Sequence, residues 1–183
     1  MDYSSGFHPL GGDRRLCVYL DATAPEAPGL AETLAQALEL DGFQVFGAGR
    51  EAAPAAAGPV DPAQAARRDF NWMRTCDAFV AVLPRDSLGR LVRAEETHTR
   101  LGWAAALGKR VVVAGDLRPG TDAPALLRGL GALVRVEFVS LAEVHARPRQ
   151  LAWRVREVLA PGGRGGYTPY PAASEQAMLG CIS

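Results

Sequence analysis

The stretch "AEETHTR" (94–100) places two adjacent carboxylates, Glu95 and Glu96, beside two hydroxyls, an imidazole, His98, and a guanidinium, Arg100. A carboxylate at the mouth of a crevice can attack or stabilise an electron-poor sugar carbon. Glycosidic cleavage passes through an oxocarbenium-like state, and a carboxylate on one face with a proton donor on the other serves that state. The same glutamates have a plainer reading. Acidic side chains in the first turn of a helix are stabilised by its dipole, by about 0.3–1 kcal/mol each. Glu95 and Glu96 are therefore either a charged helix start or a catalytic one, and the elements around them decide which.

Other chemistries find less support. The residues "DATAPEAPG" (21–29) follow the first apolar run but carry neither the P-loop spacing nor G-x-G-x-x-G, which argues against triphosphate and dinucleotide binding. Asp21 and Thr23 in that stretch read as helix caps or as ligand contacts. No serine elbow of the G-x-S-x-G type occurs, and His8, His98 and His145 are isolated in sequence, so neither a metal centre nor a serine triad is expected. No cofactor is expected either. Cys17, Cys76 and Cys181 are too few and scattered for a disulfide framework; Cys17 and Cys76 read as small buried hydrophobes. The segment "PGGRGGYTPY" (161–170) is similar to the PGG-x-G-T phosphate loop of lysine-decarboxylase-like phosphoribohydrolases. It follows a helix rather than preceding one, and Pro169 and Pro171 obstruct a new helix, so it reads as a flexible tail.

The elements that must position these residues alternate. "LCVYLDA" (16–22), "FQVFGA" (43–48), "DAFVAVLP" (77–84), "RVVVAG" (110–115) and "VRVEFVS" (134–140) read as strands. Between them lie a helix with Leu30, Leu34, Ala37 and Leu38 at helical spacing and Gly42 as its stop, and a helix over 62–76 with Asp61 as cap and Pro62 in its first turn. A helix over about 95–107 ends at Gly108, and a short one is expected in "DAPALLRGLG" (122–131). A last helix is interrupted near Pro148. Buried strands alternating with helices predict an α/β fold: a doubly wound, five-stranded parallel sheet in flavodoxin-like order 2-1-3-4-5, with helices on both faces. Ligands of such sheets bind beyond the carboxyl ends of the strands, at the switch between strands 1 and 3. The loops after Leu20, Phe46, Leu83 and Val113 are the ones to inspect, and the helix start near Glu95 faces the same crevice. Asp86, in the loop after the third strand, is a candidate contact for sugar hydroxyls.

At 183 residues the chain is long enough for one domain with a full core. Residues 1–14 read as a loose N-terminal segment, 15–160 as the domain, and 161–183 as a Gly/Pro-rich tail. Basic and acidic residues balance at 20 each, which argues against a nucleic-acid footprint. All basic residues but Lys109 are arginine, a compositional bias that lowers the functional weight of any single one. No apolar run approaches the roughly 20 residues of a membrane span, and the first residues lack the apolar core of a secretory signal. The expectation is a cytoplasmic protein with no membrane and no nucleic-acid partner.

The residues "RRDFNWMRTCDAFVAVLP" (67–84) and "THTRLGWAAALGKRVVV" (97–113) resemble the nucleoside 2-deoxyribosyltransferase-like superfamily. Within it they are most similar to the branch that hydrolyses the N-glycosidic bond of pyrimidine nucleoside monophosphates. Asp69, Asp77, Thr97, Gly102, Trp103, Ala104, Gly108 and Lys109 fall in the family's register, and the resemblance extends over roughly 16–160. The first-strand element departs from it, with Asp21-Ala22-Thr23 where the family carries glycines. The resemblance implies a nucleoside or nucleotide as small-molecule partner, cleavage or transfer at the N-glycosidic bond, and a homo-oligomer whose site a neighbouring subunit completes. It implies that Asp69 contacts and protonates the nucleobase; read without it, Asp69 is a surface helix residue paired with a neighbouring arginine. Asp77 reads as structural, and Trp72 and Trp103 as core residues of helix faces. Aligned on Gly102, the family's glutamate nucleophile falls on Arg100. Arginine is a permanent cation with no lone pair to offer, so it cannot attack an anomeric carbon. Glu96, one helical turn before Arg100 and on the same face, then either pairs with Arg100 or takes over as the catalytic carboxylate. The second requires a shift of about 5–6 Å along the helix. If neither glutamate acts, the chain is a catalytically inactive relative, a nucleotide-binding sensor in which Arg100 contacts an anion.

Overall fold

A computed structural model describes residues 15–22, 29–47, 61–88, 90–92, 95–115, 127 and 129–161. Five strands, β1 (Cys17–Asp21), β2 (Gln44–Phe46), β3 (Ala78–Leu83), β4 (Arg110–Gly115) and β5 (Val136–Val139), form one sheet in the order β2-β1-β3-β4-β5. Every pairing is parallel, with Leu20 opposite Val80 and Asp21 opposite Ala81. The expected flavodoxin-like α/β sheet is the observed one. Among the described residues it is flanked by helices α1 (Leu30–Leu40), α2 (Pro62–Thr75), α3 (Glu95–Ala106), α4 (Leu141–Ala146) and α5 (Arg149–Leu159).

Strand periodicity divides the core into two layers. Val18, Leu20, Val80, Val82, Val112 and Ala114 face Leu34, Leu38, Val144, Leu151 and Val155 of α1, α4 and α5. Tyr19, Phe79, Ala81, Leu83, Val111 and Val113 face Met73 of α2 and Leu101 and Ala104 of α3. All six residues of β3 are buried, as expected of a central strand covered on both faces. Two residues beyond Tyr19 on the same sheet face comes Asp21, the last residue of β1. The chain therefore delivers an acid to the carboxyl end of the sheet, beneath α2 and α3.

The termini of the helices follow the sequence. Asp61 accepts the N–H of Ala63 and Pro62 opens α2. Gly108 closes α3 at φ 64°, with the Lys109 N–H donating to the Ala104 carbonyl, a left-handed stop that glycine makes without a Cβ penalty. Pro148 separates α4 from α5, as expected. The strands are shorter than the apolar runs: β2 covers Gln44–Phe46 rather than 43–48, and β5 covers Val136–Val139 rather than 134–140. Strand ends leave the ladder where the chain turns toward a helix, and hydropathy does not mark that point. Of the short helix expected over 122–131, the described residues include Leu127, which is helical and buried, and a 3-10 turn at Leu130–Ala132. Thr23, the tyrosines of the tail and Cys181 lie outside the described residues.

Two ties lock the lower edge of the sheet. The Asp77 carboxylate accepts the Cys17 N–H at 2.7 Å, and the Asp77 N–H donates to the Cys17 carbonyl, so β1 and β3 start in fixed register. Lys109 sends its ammonium to the carbonyls of Arg74 and Cys76, both at 2.7 Å. It thereby caps the C-terminus of α2, where the helix dipole favours a cation. Both residues take structural roles far from the crevice.

Candidate functional site

Three elements bring one charged residue each to the carboxyl end of β1. Asp21 comes from the strand, Asp69 from α2 and Arg100 from α3. Arg100 donates from Nη1 to Asp21 Oδ2 at 3.2 Å, and from Nε and Nη2 to Asp69 Oδ2 at 3.2 and 2.9 Å. Nη2 also donates to Glu96 Oε2, one turn earlier on the same helix, at 3.1 Å. The guanidinium is thus enclosed by three carboxylates. The side chains of Asp21 and Asp69 are 1% and 9% exposed and that of Arg100 is 14% exposed, whereas Glu96 is 77% exposed. Two of the three contacts lie inside the fold and the third lies at its rim.

Burial opposes the charge of Arg100, but the Asp21 and Asp69 carboxylates outweigh it and hold its proton above the ordinary arginine range. Asp21 and Asp69 are charges withdrawn from water, and such charges persist only when paired and hydrogen-bonded. The fork geometry of a guanidinium lets one side chain answer two acids from different elements.

Two further residues belong to the cluster and were not singled out from the sequence. Tyr19 lies buried beneath it, beside Asp69; burial first, and then the neighbouring acids, push its pKa up. The hydroxyl therefore remains a neutral donor. Its ring is held by Phe79 and Trp72. Gly47, at φ 88°, also lies against it: a Cβ there would come within 2.7 Å of the Leu20 carbonyl oxygen and 3.0 Å of the Tyr19 ring. The available signal was the i, i+2 spacing of Tyr19 and Asp21, which puts both on one face of β1. Arg68 is the second. Its Nε and Nη2 lie 3.3 Å from Asp69 Oδ1, and its guanidinium carbon lies 4.8 Å from the centre of the Trp72 ring. Asp69 thus pairs with a neighbouring arginine, but it is buried rather than at the surface as the plainer reading had it, and it faces Arg100 across the crevice.

The remaining sequence candidates are placed as follows. Asp86 serves its own loop: Oδ1 accepts the N–H groups of Leu88 and Arg90, and Oδ2 accepts Arg90 Nε at 2.9 Å. These hydrogen bonds hold its carboxyl below the usual carboxylate range. Glu95 is exposed in the first turn of α3, and His98 is half-buried on the same helix. Trp72 and Trp103 are half-buried and packed against the core, Trp72 stacked on Phe46 and Trp103 edge-on to Phe70. Burial pushes the Cys76 thiol up to about 11, an unreactive state at neutral pH. Among the described residues no group of three His, Cys, Asp or Glu side chains is placed to hold a metal ion, and no helix is long and apolar enough to cross a membrane.

The architecture is shared with solved structures. The CMP N-glycosidase BcmB of Clostridium botulinum matches with a TM-score of 0.56 and 23% identity, over 75% of this chain and 98% of that one. BlsM, whose structure was determined in solution, matches with a TM-score of 0.59 and 26% identity, over 81% of this chain and 96% of that one. No family model matches the sequence, and no curated protein does. The fold is that of a flavodoxin-like α/β protein. At these identities the two likenesses establish the shared fold.

Proposed function

We propose that the chain binds a nucleoside or nucleotide at the β1/β3 switch point and does not cleave it by way of a covalent glycosyl intermediate. The observation that carries this reading is the set of contacts around Arg100, 2.9–3.2 Å from Asp21, Asp69 and Glu96. A guanidinium offers no nucleophile, and it stands beside two buried acids, Asp21 and Asp69. The binding role itself draws on the switch-point position and on the superfamily resemblance, in which Asp69 is the residue that contacts the base. Asp21 and Asp69 are carboxylates that accept hydroxyl and N–H donors, the groups a ribose and a nucleobase present.

The test is a panel of nucleosides and their 5′-monophosphates, titrated by calorimetry and assayed in parallel for released base. Binding without base release is the expected result, weakened at least tenfold by Asp69→Asn, a loss of about 1.4 kcal/mol. Absence of binding across the panel would overturn the reading.

One observation favours a second reading, an N-glycosidase in which Glu96 replaces the missing nucleophile. Glu96 is an exposed carboxylate at the rim, in contact with Arg100. This reading predicts base release that Glu96→Gln abolishes. Release that survives Glu96→Gln and falls with Asp69→Asn would instead assign attack to water.

A further inference from the structure

We infer that the outer seam between α2 and α3 is a docking face for a second copy of this chain, related to the first by a twofold axis along the seam. The inference is independent of what the crevice binds. The resemblance implies a homo-oligomer but names no surface; the surface follows from the residues of these two helices.

Both helices cover the same face of the sheet, burying Met73, Leu101 and Ala104 against it. Because every strand pairing is parallel, they return in the same direction. Their outer side is apolar where they meet. Phe70 of α2 stands edge-on to Trp103 of α3, with ring centres 5.5 Å apart, yet Phe70 remains 36% exposed. Leu107, one turn beyond Trp103 and on the same flank, is 37% exposed. Large apolar and aromatic side chains left outside a core are the groups that protein contacts bury at their centre.

Charge selects the occupant. Arg67 and Arg74 are exposed on α2, and Glu95 and Glu96 are exposed at the start of α3. The seam therefore carries one sign on each bank. A partner of a single sign would meet its own charge on one of them. A second copy does not. A twofold axis along the seam lays α2 of each copy over α3 of the other, which brings the Arg67 end of one toward the Glu95 end of its partner, and the same contact is made twice.

A second observation comes from Gly102, exposed inside α3 next to Trp103. A glycine there is less favourable than alanine, because it gives up more conformational freedom on folding. Packing within the chain does not require it: a Cβ built at Gly102 meets nothing within 4 Å. A neighbour approaching the helix from outside accounts for the missing side chain.

The test is sedimentation velocity of the full chain from about 1 µM to about 500 µM, the range in which modest contacts populate both states. A monomer–dimer equilibrium is expected. Gly102→Ala should raise its dissociation constant about tenfold, the scale of a methyl forced into a close-packed contact. The same variant should leave the melting temperature of the dilute chain unchanged or higher. Arg67→Glu should weaken the dimer several-fold, and adding Glu95→Arg should restore it, since the two signs are then exchanged. Circular dichroism of each variant at the lowest concentration checks its fold. A chain that is monomeric throughout, whatever then covers the seam, counts decisively against the proposal. So does a dimer that Gly102→Ala or Arg67→Glu leaves untouched, or a lower melting temperature in dilute Gly102→Ala, which would give the glycine a role inside the monomer.

Discussion

At position 100 a guanidinium differs from a carboxylate in charge and in the number of partners it can hold. Arg100 uses both properties, bridging Asp21 and Asp69 from inside the fold and Glu96 from its rim. The three arms should differ in energetic weight. Removing one partner of an enclosed charge set leaves uncompensated charge out of water, at a cost of about 3–5 kcal/mol when burial is complete. An exposed ion pair contributes about 0–1 kcal/mol. Arg100→Ala should therefore lower unfolding free energy in urea by about 2–4 kcal/mol, discounted for the open side of the cluster. Glu96→Gln should change it by less than about 1 kcal/mol. Similar small losses in both variants would mean that the cluster is fully screened by water. Double-mutant cycles of Arg100 with Asp69 and with Glu96 would measure the two couplings directly.

At the scale of elements, the cap at Lys109 ties the end of α2 to the start of β4. Its ammonium satisfies two carbonyls that the helix would otherwise leave without a partner. Charge-assisted bonds of this kind contribute about 1.5–3 kcal/mol each when enclosed. Because the stem of Lys109 is half-buried, Lys109→Met should cost about 1–3 kcal/mol in denaturant titration. A loss below that range would reduce the contact to a surface pairing. The elements themselves were legible in the sequence for a specific reason. All the strands are parallel, the central ones are covered on both faces, and such strands read as apolar runs bounded by polar residues. Asp61, Pro62, Gly42, Gly108 and Pro148 announced the helix ends through their own backbone chemistry. The cluster was legible only in part. The Glu96–Arg100 pair follows from i, i+4 spacing, but the contacts to Asp69 and Asp21 span 31 and 79 residues. No local pattern encodes them. Tyr19 was not singled out because the cluster it joins is built from Asp69 and Arg100 on other elements, and the close approach of Gly47 to its ring depends on a loop.

For the whole molecule, two buried acids set an alkaline limit. Burial raises the Cys76 thiol to about 11 from an ordinary 9.0, and raises Tyr19 above its ordinary 10.0. An acid whose pKa is higher in the folded state keeps its proton longer there than in the unfolded chain. The unfolded state therefore loses protons first, and stability falls as pH rises. This contribution is complete below pH 9, declines from about pH 9 to 11 as unfolded thiols ionise, and declines further above pH 10 through Tyr19. Melting temperature measured from pH 8 to 11 should drop across that window. Cys76→Ala should flatten the early part of the drop and Tyr19→Phe the later part. A flat profile in the parent protein would show that neither group is sequestered.

The span of the Arg100 contacts also bears on how the protein is made. Asp21 and Asp69 are synthesised well before the residue that neutralises them. Chains are built from the N-terminus at about 5–20 residues per second, so for a few seconds on the ribosome the two acids have no Arg100 to hold them. Two acids brought together out of water without their bridging cation are disfavoured, so closure of β1 and α2 over this floor is expected to wait for α3.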